Sequence, residues 1–385
     1  MKSRRVAMDC IKRFYLAGFL YIALYAGFYQ VYLQSLGLSK GQIGLLAAVS
    51  LLLVAFLEVP TGVVADKISK KTSVLVARAL FLASLPLLYF ANSFADVFLA
   101  TIIGALSTAF TTGAETGWLY ELLKRDGRAD EYPRVYGRLR SFEMAGGFVG
   151  TLTGGILADF AGSMRLPIIL SLPFVLTSLL ILVTIPKDTV RSGLPYGHHL
   201  LESIRFVWNS REVLWLFIYA NIIGLPVTLF TAFMQLYFYG FLASVLAVSG
   251  VVALHMTINS ISWYIDVGDK VRERLYLYAG ILLPFLSLLA GLSGWFGLIT
   301  LVLETFIFAQ AFKEWQGRFQ KAIPDEKRAT VGSLYSLIAA TTNGALNAVL
   351  GWLFDYVGIM RGIVLASVFF LGLSSLAFTK KMRNL

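Results

Sequence analysis

Cysteine is almost missing from this sequence. Cys10 stands alone in 385 residues, so no disulfide can close within the chain. Histidine is nearly as scarce, with three residues, and no Cys or His spacing resembles a zinc or iron–sulfur site. No metal and no cofactor are therefore expected, and three histidines are too few for the convergent His, Ser or metal constellation an enzyme needs. No G-x-x-x-x-G-K-[S/T] loop occurs, which excludes direct use of ATP by this chain. Charge is sparse as well: 14% of residues are charged, against about a quarter in soluble domains.

What fills the space is apolar. Hydrophobic residues make up 57% of the chain and the mean hydropathy is +0.73. A helix needs about 20 apolar residues to cross a bilayer. Twelve windows meet that length, near 14 to 34, 42 to 64, 72 to 92, 95 to 121, 138 to 160, 164 to 185, 212 to 240, 243 to 266, 274 to 294, 296 to 318, 329 to 354 and 361 to 379. They are too long and too uniformly apolar for the alternating ten-residue signal of a membrane barrel. The expected fold is all-α and integral to the lipid bilayer, because helices satisfy their own backbone groups there.

The net charge of +11 is distributed by face. Of 33 Lys and Arg residues, Lys40, Arg165 and Arg361 fall on odd-to-even connections and Arg78 lies within the third window; the other 29 sit on one side. The positive-inside rule then puts both termini in the cytoplasm and the protein in the cytoplasmic membrane. Cations spread over seven separated segments do not form a nucleic-acid surface, so no nucleic-acid partner is expected.

The chain repeats itself. Gly137, Ser141, Gly155, Asp159, Gly162, Met164 and Arg165 recur as Gly332, Ser336, Gly351, Asp355, Gly358, Met360 and Arg361, at offsets of 195 and then 196. The expected organisation is a six-helix bundle over 1–186, a cytoplasmic linker over 187–211, and a second six-helix bundle over 212–385. The linker carries His198 and His199, read as solvated, and its later part suits an interfacial amphipathic helix.

Between the second and third windows runs Gly62-Val63-Val64-Ala65-Asp66-Lys67-Ile68-Ser69-Lys70-Lys71. It resembles the signature loop of the major facilitator superfamily, G-x-x-x-D-x-x-G-R-K, with Ser69 in place of Gly and Lys70 in place of Arg. Glu58-Val59-Pro60-Thr61 before it looks like the drug-exporter branch. In the fifth window Gly146, Gly150, Thr151, Gly154 and Gly155 resemble the antiporter motif G-x-x-x-G-P-x-x-G-G, with Thr151 where the family has proline. The same spacing is also what close helix packing alone requires. The segments Gly113 to Glu121 and Ile323 to Thr330 look like recurrent segments of prokaryotic members, whereas Ala100 stands where many proton-coupled members carry arginine. Asp266 to Arg274 is a degraded second signature loop.

That resemblance implies twelve helices in two pseudo-symmetric bundles, with helices 1, 4, 7 and 10 around a central cavity and helix 3 peripheral. It implies a gate at the cytoplasmic face built from Gly62, Asp66, Lys70, Lys71 and Glu121. Charges at bilayer depth cost roughly 2.5 to 3.5 kcal/mol, so those that remain are candidates for function. They are Glu58, Arg78, Glu115, Glu143, His255 and Glu304, with Arg138 and Arg140 nearer the cytoplasmic end of the fifth window, and of these Glu58, Glu115, Glu143, His255 and Glu304 are the candidates for proton or substrate handling. Three have a structural alternative: ion pairs of Glu115 with Arg138 and of Glu143 with Arg140, and a hydrogen-bonded core imidazole for His255. Aromatic residues on the cavity helices, including Tyr21, Tyr25, Phe230 and Phe306, suit hydrophobic or cationic compounds. The expectation is a secondary transporter acting on a small molecule, monomeric, exporting such compounds against protons. A proton symporter or uniporter for a small metabolite is the alternative, and a receptor or membrane enzyme the remote one.

Overall fold

Local signals set where some of the helices begin and end. Ser69 accepts a hydrogen bond from the Thr72 N–H to start one helix, Ser93 and Asp96 form a capping box for the next, and Ser210 caps another from the Val213 N–H. Gly162, at φ 60°, ends the long helix of the antiporter-like glycines in a conformation that favours glycine.

The computed structural model describes residues 2–188, 205–324 and 327–382. Within them the helices are α1 (Lys2–Phe19), α2 (Tyr29–Ser35), α3 (Lys40–Lys67), α4 (Lys70–Tyr89), α5 (Phe94–Thr111), α6 (Ala114–Arg125), α7 (Tyr132–Ala161), α8 (Leu166–Val183), α9 (Arg211–Thr231), α10 (Met234–Leu242), α11 (Val245–Tyr264), α12 (Asp269–Leu292), α13 (Gly294–Ala322), α14 (Arg328–Val357) and α15 (Ile359–Met382). No strand occurs among the described residues, and eleven segments are long and apolar enough to cross a membrane. The fold is the all-α integral membrane architecture the sequence implied. His198, His199 and most of the expected amphipathic linker helix lie outside the described residues; residues 205–209 are helical.

The first window, 14 to 34, is not one helix. It breaks into α1 and α2 around residues 20–28. Leu20 to Phe28 hold one glycine and no proline, so propensity does not explain the break. Tertiary contacts do. The Leu24 N–H donates to the Ser171 hydroxyl at 3.0 Å, and the backbone of Phe19 and Leu24 lies against the glycines of α7. Irregular backbone is tolerated at membrane depth only where protein supplies its partners. The fourth and seventh windows break more briefly, at Thr112–Gly113 and Ala232–Phe233.

Two compact units make up the chain. One comprises Met1–Leu38, Val49–Leu194 and Ser244–Ala253; the other Ser39–Ala48, Pro195–Ala243 and Leu254–Leu385. In the first, α4 packs on α5 and α8, and α1 on α7 and α8; in the second, α12 packs on α13 and α15, and α9 on α12, α13 and α14. The sequence repeat is thus repeated in packing. Each unit also has an aromatic core at its basic end. Trp118 is centred among Phe14, Leu119 and Leu139, and its Nε1–H donates to the Pro186 carbonyl at 3.0 Å. Trp315, among Phe217, Tyr219 and Phe319, donates to the Leu216 carbonyl at 2.8 Å. Lipid offers no hydrophobic drive between helices, so such satisfied aromatic cores and small-residue contacts hold the units together.

Candidate functional site

Glu115 is placed by a break in a helix. Gly113, at φ 76°, separates α5 from α6 and leaves Glu115 in the first turn of α6, where unpaired N–H groups favour a negative charge. From the middle of α4, Arg78 reaches it: Nη2 donates to Glu115 Oε1 at 2.8 Å. The pair is sealed, with Arg78 1% and Glu115 5% exposed. The Tyr21 ring, from the broken part of the first span, lies 3.6 Å from the guanidinium carbon and is itself packed on Phe81. Arg78 keeps two N–H groups, Nε and Nη1, without a hydrogen-bond acceptor among the described residues. The facing aromatic ring offsets part of that loss.

Glu143, on α7, accepts from Arg140 Nη1 at 2.7 Å and feels the charges of both Glu115 and Arg78. Its side chain lies beside Gly18 of α1, where an added Cβ would meet Glu143 Cγ at 3.0 Å. The cluster therefore holds two acids and two arginines, one pair dry and one partly wet. Glu115 pairs with Arg78, not Arg138. The sequence marked Arg78 as a charge at bilayer depth, but the resemblance made its helix peripheral, so no partner was assigned to it.

Glu304, on α13, is 2% exposed and sits in unit two. Its Oε1 accepts from the Ser287 hydroxyl, and its Oε2 has no hydrogen-bond partner among the described residues. No arginine or lysine pairs with it there. Glu58 on α3 and His255 on α11 are partly buried, with no ion pair among the described residues. Neither joins the Arg78 cluster. The amides do not converge either: Gln310 donates to the Ser262 carbonyl, Asn221 to that of Phe217, and Asn347 to that of Asn343.

The signature-loop residues form a second centre at the basic end of unit one. Gly62 lies within α3 with open space around it, and the side chain of Asp66 lies outside what is described. Lys70 forms an ion pair with Glu121 of α6. Lys71 Nζ donates to the Val183 and Ile185 carbonyls at 2.7 and 2.6 Å, which closes the end of α8. Asp188, which sequence reasoning passed over, accepts from the Ser69 hydroxyl and from the Lys70 and Lys71 N–H groups at 2.8 and 3.1 Å. Burial alone would push the Asp188 carboxyl up, but these donors outweigh it and hold it below its ordinary value. Ser69, the departure from the family glycine, is thus both helix cap and donor.

The degraded loop in unit two keeps the charge logic with different residues. Arg272, near the start of α12, pairs with Asp266 at 2.9 Å and with Glu314 of α13 at 3.3 Å, and Arg318 meets Glu314 at 2.9 Å.

The glycines of α7 face the broken span. A Cβ on Gly146 would lie 2.1 Å from the Phe19 carbonyl oxygen, one on Gly150 2.3 Å from Ile22 Cγ2, and one on Gly154 1.6 Å from the Leu24 carbonyl oxygen. Gly155 faces Ser249 of α11 instead, at 2.6 Å. Only glycine lets these backbones approach so closely.

Comparison with known proteins fits this architecture. A model of the Major Facilitator Superfamily matches residues 14–346. The quinolone resistance protein NorA of Staphylococcus aureus is 26% identical over 183 residues, covering 46% of this chain and 44% of that protein. The chain thus spans less than half the length of this curated relative. Two solved structures share the fold at 15% identity. The nucleoside transporter NupG has a TM-score of 0.74, covering 98% of each chain. A bacterial homolog of the human lysosomal transporter Spinster, inward-facing and unoccupied, has a TM-score of 0.72, covering 98% of this chain and 96% of that one.

Proposed function

Because the chain belongs to the major facilitator superfamily, we propose that it exports hydrophobic or cationic small molecules across the cytoplasmic membrane in exchange for protons. That it is a membrane transporter and not an enzyme follows from the family. The observation that supports the finer reading is the Arg78–Glu115 pair with Glu143 beside it. A carboxylate inside a transporter can be neutralised by an arginine, by a proton or by a cationic substrate. When two of these compete for one acid, their movements are coupled.

Tyr21 lies next to the pair, as a flat apolar wall beside an acid would for a lipophilic cation. The partial match to NorA, named for quinolone resistance, agrees with export. Glu304 serves as a second proton-binding acid in unit two. Lys70 and Glu121 act as part of the gate on the basic, cytoplasmic face, and the protein works as a monomer with both termini inside.

Flux in proteoliposomes, with an imposed pH gradient and a panel of dyes and metabolites, tests this reading. Lipophilic cations should accumulate against the proton gradient and collapse with a protonophore. Flux indifferent to the gradient would remove proton coupling. A metabolite moved together with protons, with the dyes ignored, would favour the symporter reading, which Thr151 in place of the family proline supports.

A further inference from the structure

The helix break that places Glu115 is supported from outside its own span. In a continuous helix the Ala109 and Phe110 carbonyls would accept from the Gly113 and Ala114 N–H groups. The break at Thr112–Gly113 interrupts that ladder, and lipid has no donor to replace it. Hydroxyls from two other helices do. Thr61 of α3 donates to the Ala109 carbonyl at 2.9 Å, and Ser73 of α4 donates to the Phe110 carbonyl at 2.8 Å. A third bond runs the opposite way: Ser107 of α5 donates at 2.8 Å to the α4 carbonyl of Ala77, the residue before Arg78. All three residues are buried, at 5%, 2% and 1% exposure. Thr61 shares its single proton with the Leu57 and Glu58 carbonyls of its own helix, at 2.8 and 3.3 Å, so Ser73 is the stronger support.

Glycine allows the break, and the hydroxyls select one form of it. Gly113, at φ 76°, takes a conformation that residues with a side chain disfavour, and it has open space around it. Alone it would let the chain bend in many directions. The Ser73–Phe110 and Ser107–Ala77 bonds are reciprocal, one from each helix, and they fix how far α4 and α5 slide past each other at the level of Arg78. Hydroxyl-to-carbonyl bonds of this kind set register between membrane helices. Glu115 follows Phe110 by five residues, so its reach to Arg78 depends on that register. Beyond the break, Lys70 and Glu121 tie α6 to α4 a second time. Thr61 and Ser73 also flank the signature loop, one just before Gly62 and the other two residues after Lys71.

We infer that Thr61, Ser73 and Ser107 are positioning residues that hold the fourth span broken and keep Glu115 in register with Arg78. The segments on either side of the signature loop thereby set the geometry of the acid pair. Treating Glu115 as the coupling acid rests on the proton-exchange reading; its positioning by the hydroxyls does not.

The test reads the Arg78–Glu115 pair without substrate or gradient. Dicyclohexylcarbodiimide, an apolar reagent, reacts with protonated buried acids and not with carboxylates. Glu115 held by Arg78 should therefore label slowly in the purified full chain, with the rate read by mass spectrometry of the peptide that carries it. Arg78→Met, which removes the partner, sets the fast limit. Ser73→Ala and Ser107→Ala should each speed labelling about fivefold, the usual worth of one buried hydrogen bond, and Thr61→Val by less because its proton is shared. Gly113→Ala meets no neighbour and acts on the backbone alone, and it should speed labelling as well. If the alanine variants of the serines fail to fold, Ser73→Cys and Ser107→Cys keep the volume with a weaker donor and should move the rate the same way by less. Unchanged labelling in folded serine variants overturns the positioning role, and with coupled flux intact it leaves the transport reading standing. Faster labelling with coupled flux intact keeps the positioning role and rejects Glu115 as the coupling acid.

Discussion

Arg78 and Glu115 meet at 2.8 Å from two different helices, and together they are the driest ion pair in the described residues, at 1% and 6% side-chain exposure. An ion pair without water gains strength from low dielectric but is costly to break from one side. That asymmetry gives the first expectation.

Arg78→Met alone should lower stability by about 3 to 5 kcal/mol, because it strands an acid in a closed core. Arg78→Met with Glu115→Gln should recover most of the loss while abolishing coupled flux. Thermal melting of the four proteins in a double-mutant cycle measures this. Equal loss in the single and double variants would mean that the pair contributes nothing specific.

At the basic end, Asp188→Ala should cost about 1 kcal/mol, as for loss of a helix cap. Its pH dependence has a definite sign. The folded-state value is depressed, so the Asp188 contribution is complete above the unfolded carboxylate range of about 3.9 and lost as pH falls through the lower folded value. Melting curves of wild type and Asp188→Asn should therefore stay a constant distance apart between pH 5 and 8 (roughly) and converge only in stronger acid.

The glycines of α7 should divide sharply. Gly154→Ala drives a Cβ to 1.6 Å from a backbone oxygen, which no rotamer can relieve, and should cost at least about 1 to 3 kcal/mol. Gly147→Ala, with nothing within 4 Å, should be neutral or stabilising by up to about 1 kcal/mol. Melting temperatures of the two variants check this, and similar losses in both would contradict the close backbone contact.

Ser287→Ala should destabilise wild type by about 1 to 3 kcal/mol by removing the hydroxyl that Glu304 uses. In a Glu304→Gln background the loss should be smaller. A coupling of less than roughly 0.5 kcal/mol between the two substitutions would mean that they act independently.

Much of the fold was legible because membrane helices announce themselves by length and charge asymmetry, and because Gly155, Asp159 and Arg165 recur as Gly351, Asp355 and Arg361. The break at 20–28 was not, since Leu20 to Phe28 favour helix and only Ser171 and the α7 glycines, distant in sequence, hold the broken form. The site was half legible. Depth in the membrane marked Glu115 and Glu143 as candidates, but partner choice depends on helix rotation, which a hydropathy window does not fix. Hence Arg138 looked as near to Glu115 as Arg78. Asp188 was hidden for a different reason: it follows Pro186 and Lys187 at the edge of a linker, where acids are usually solvated, and its role depends on a helix start more than a hundred residues earlier.

The central claim is that a proton and a cationic substrate compete for the acids around Arg78. Proton release on substrate binding measures it directly, in weakly buffered detergent solution with a pH indicator. At a pH low enough to protonate these acids and part them from their arginines, wild type should release protons as the lipophilic cation binds, and Glu115→Gln with Glu143→Gln should release none. Binding without release in wild type, or equal release from the double variant, would contradict the account.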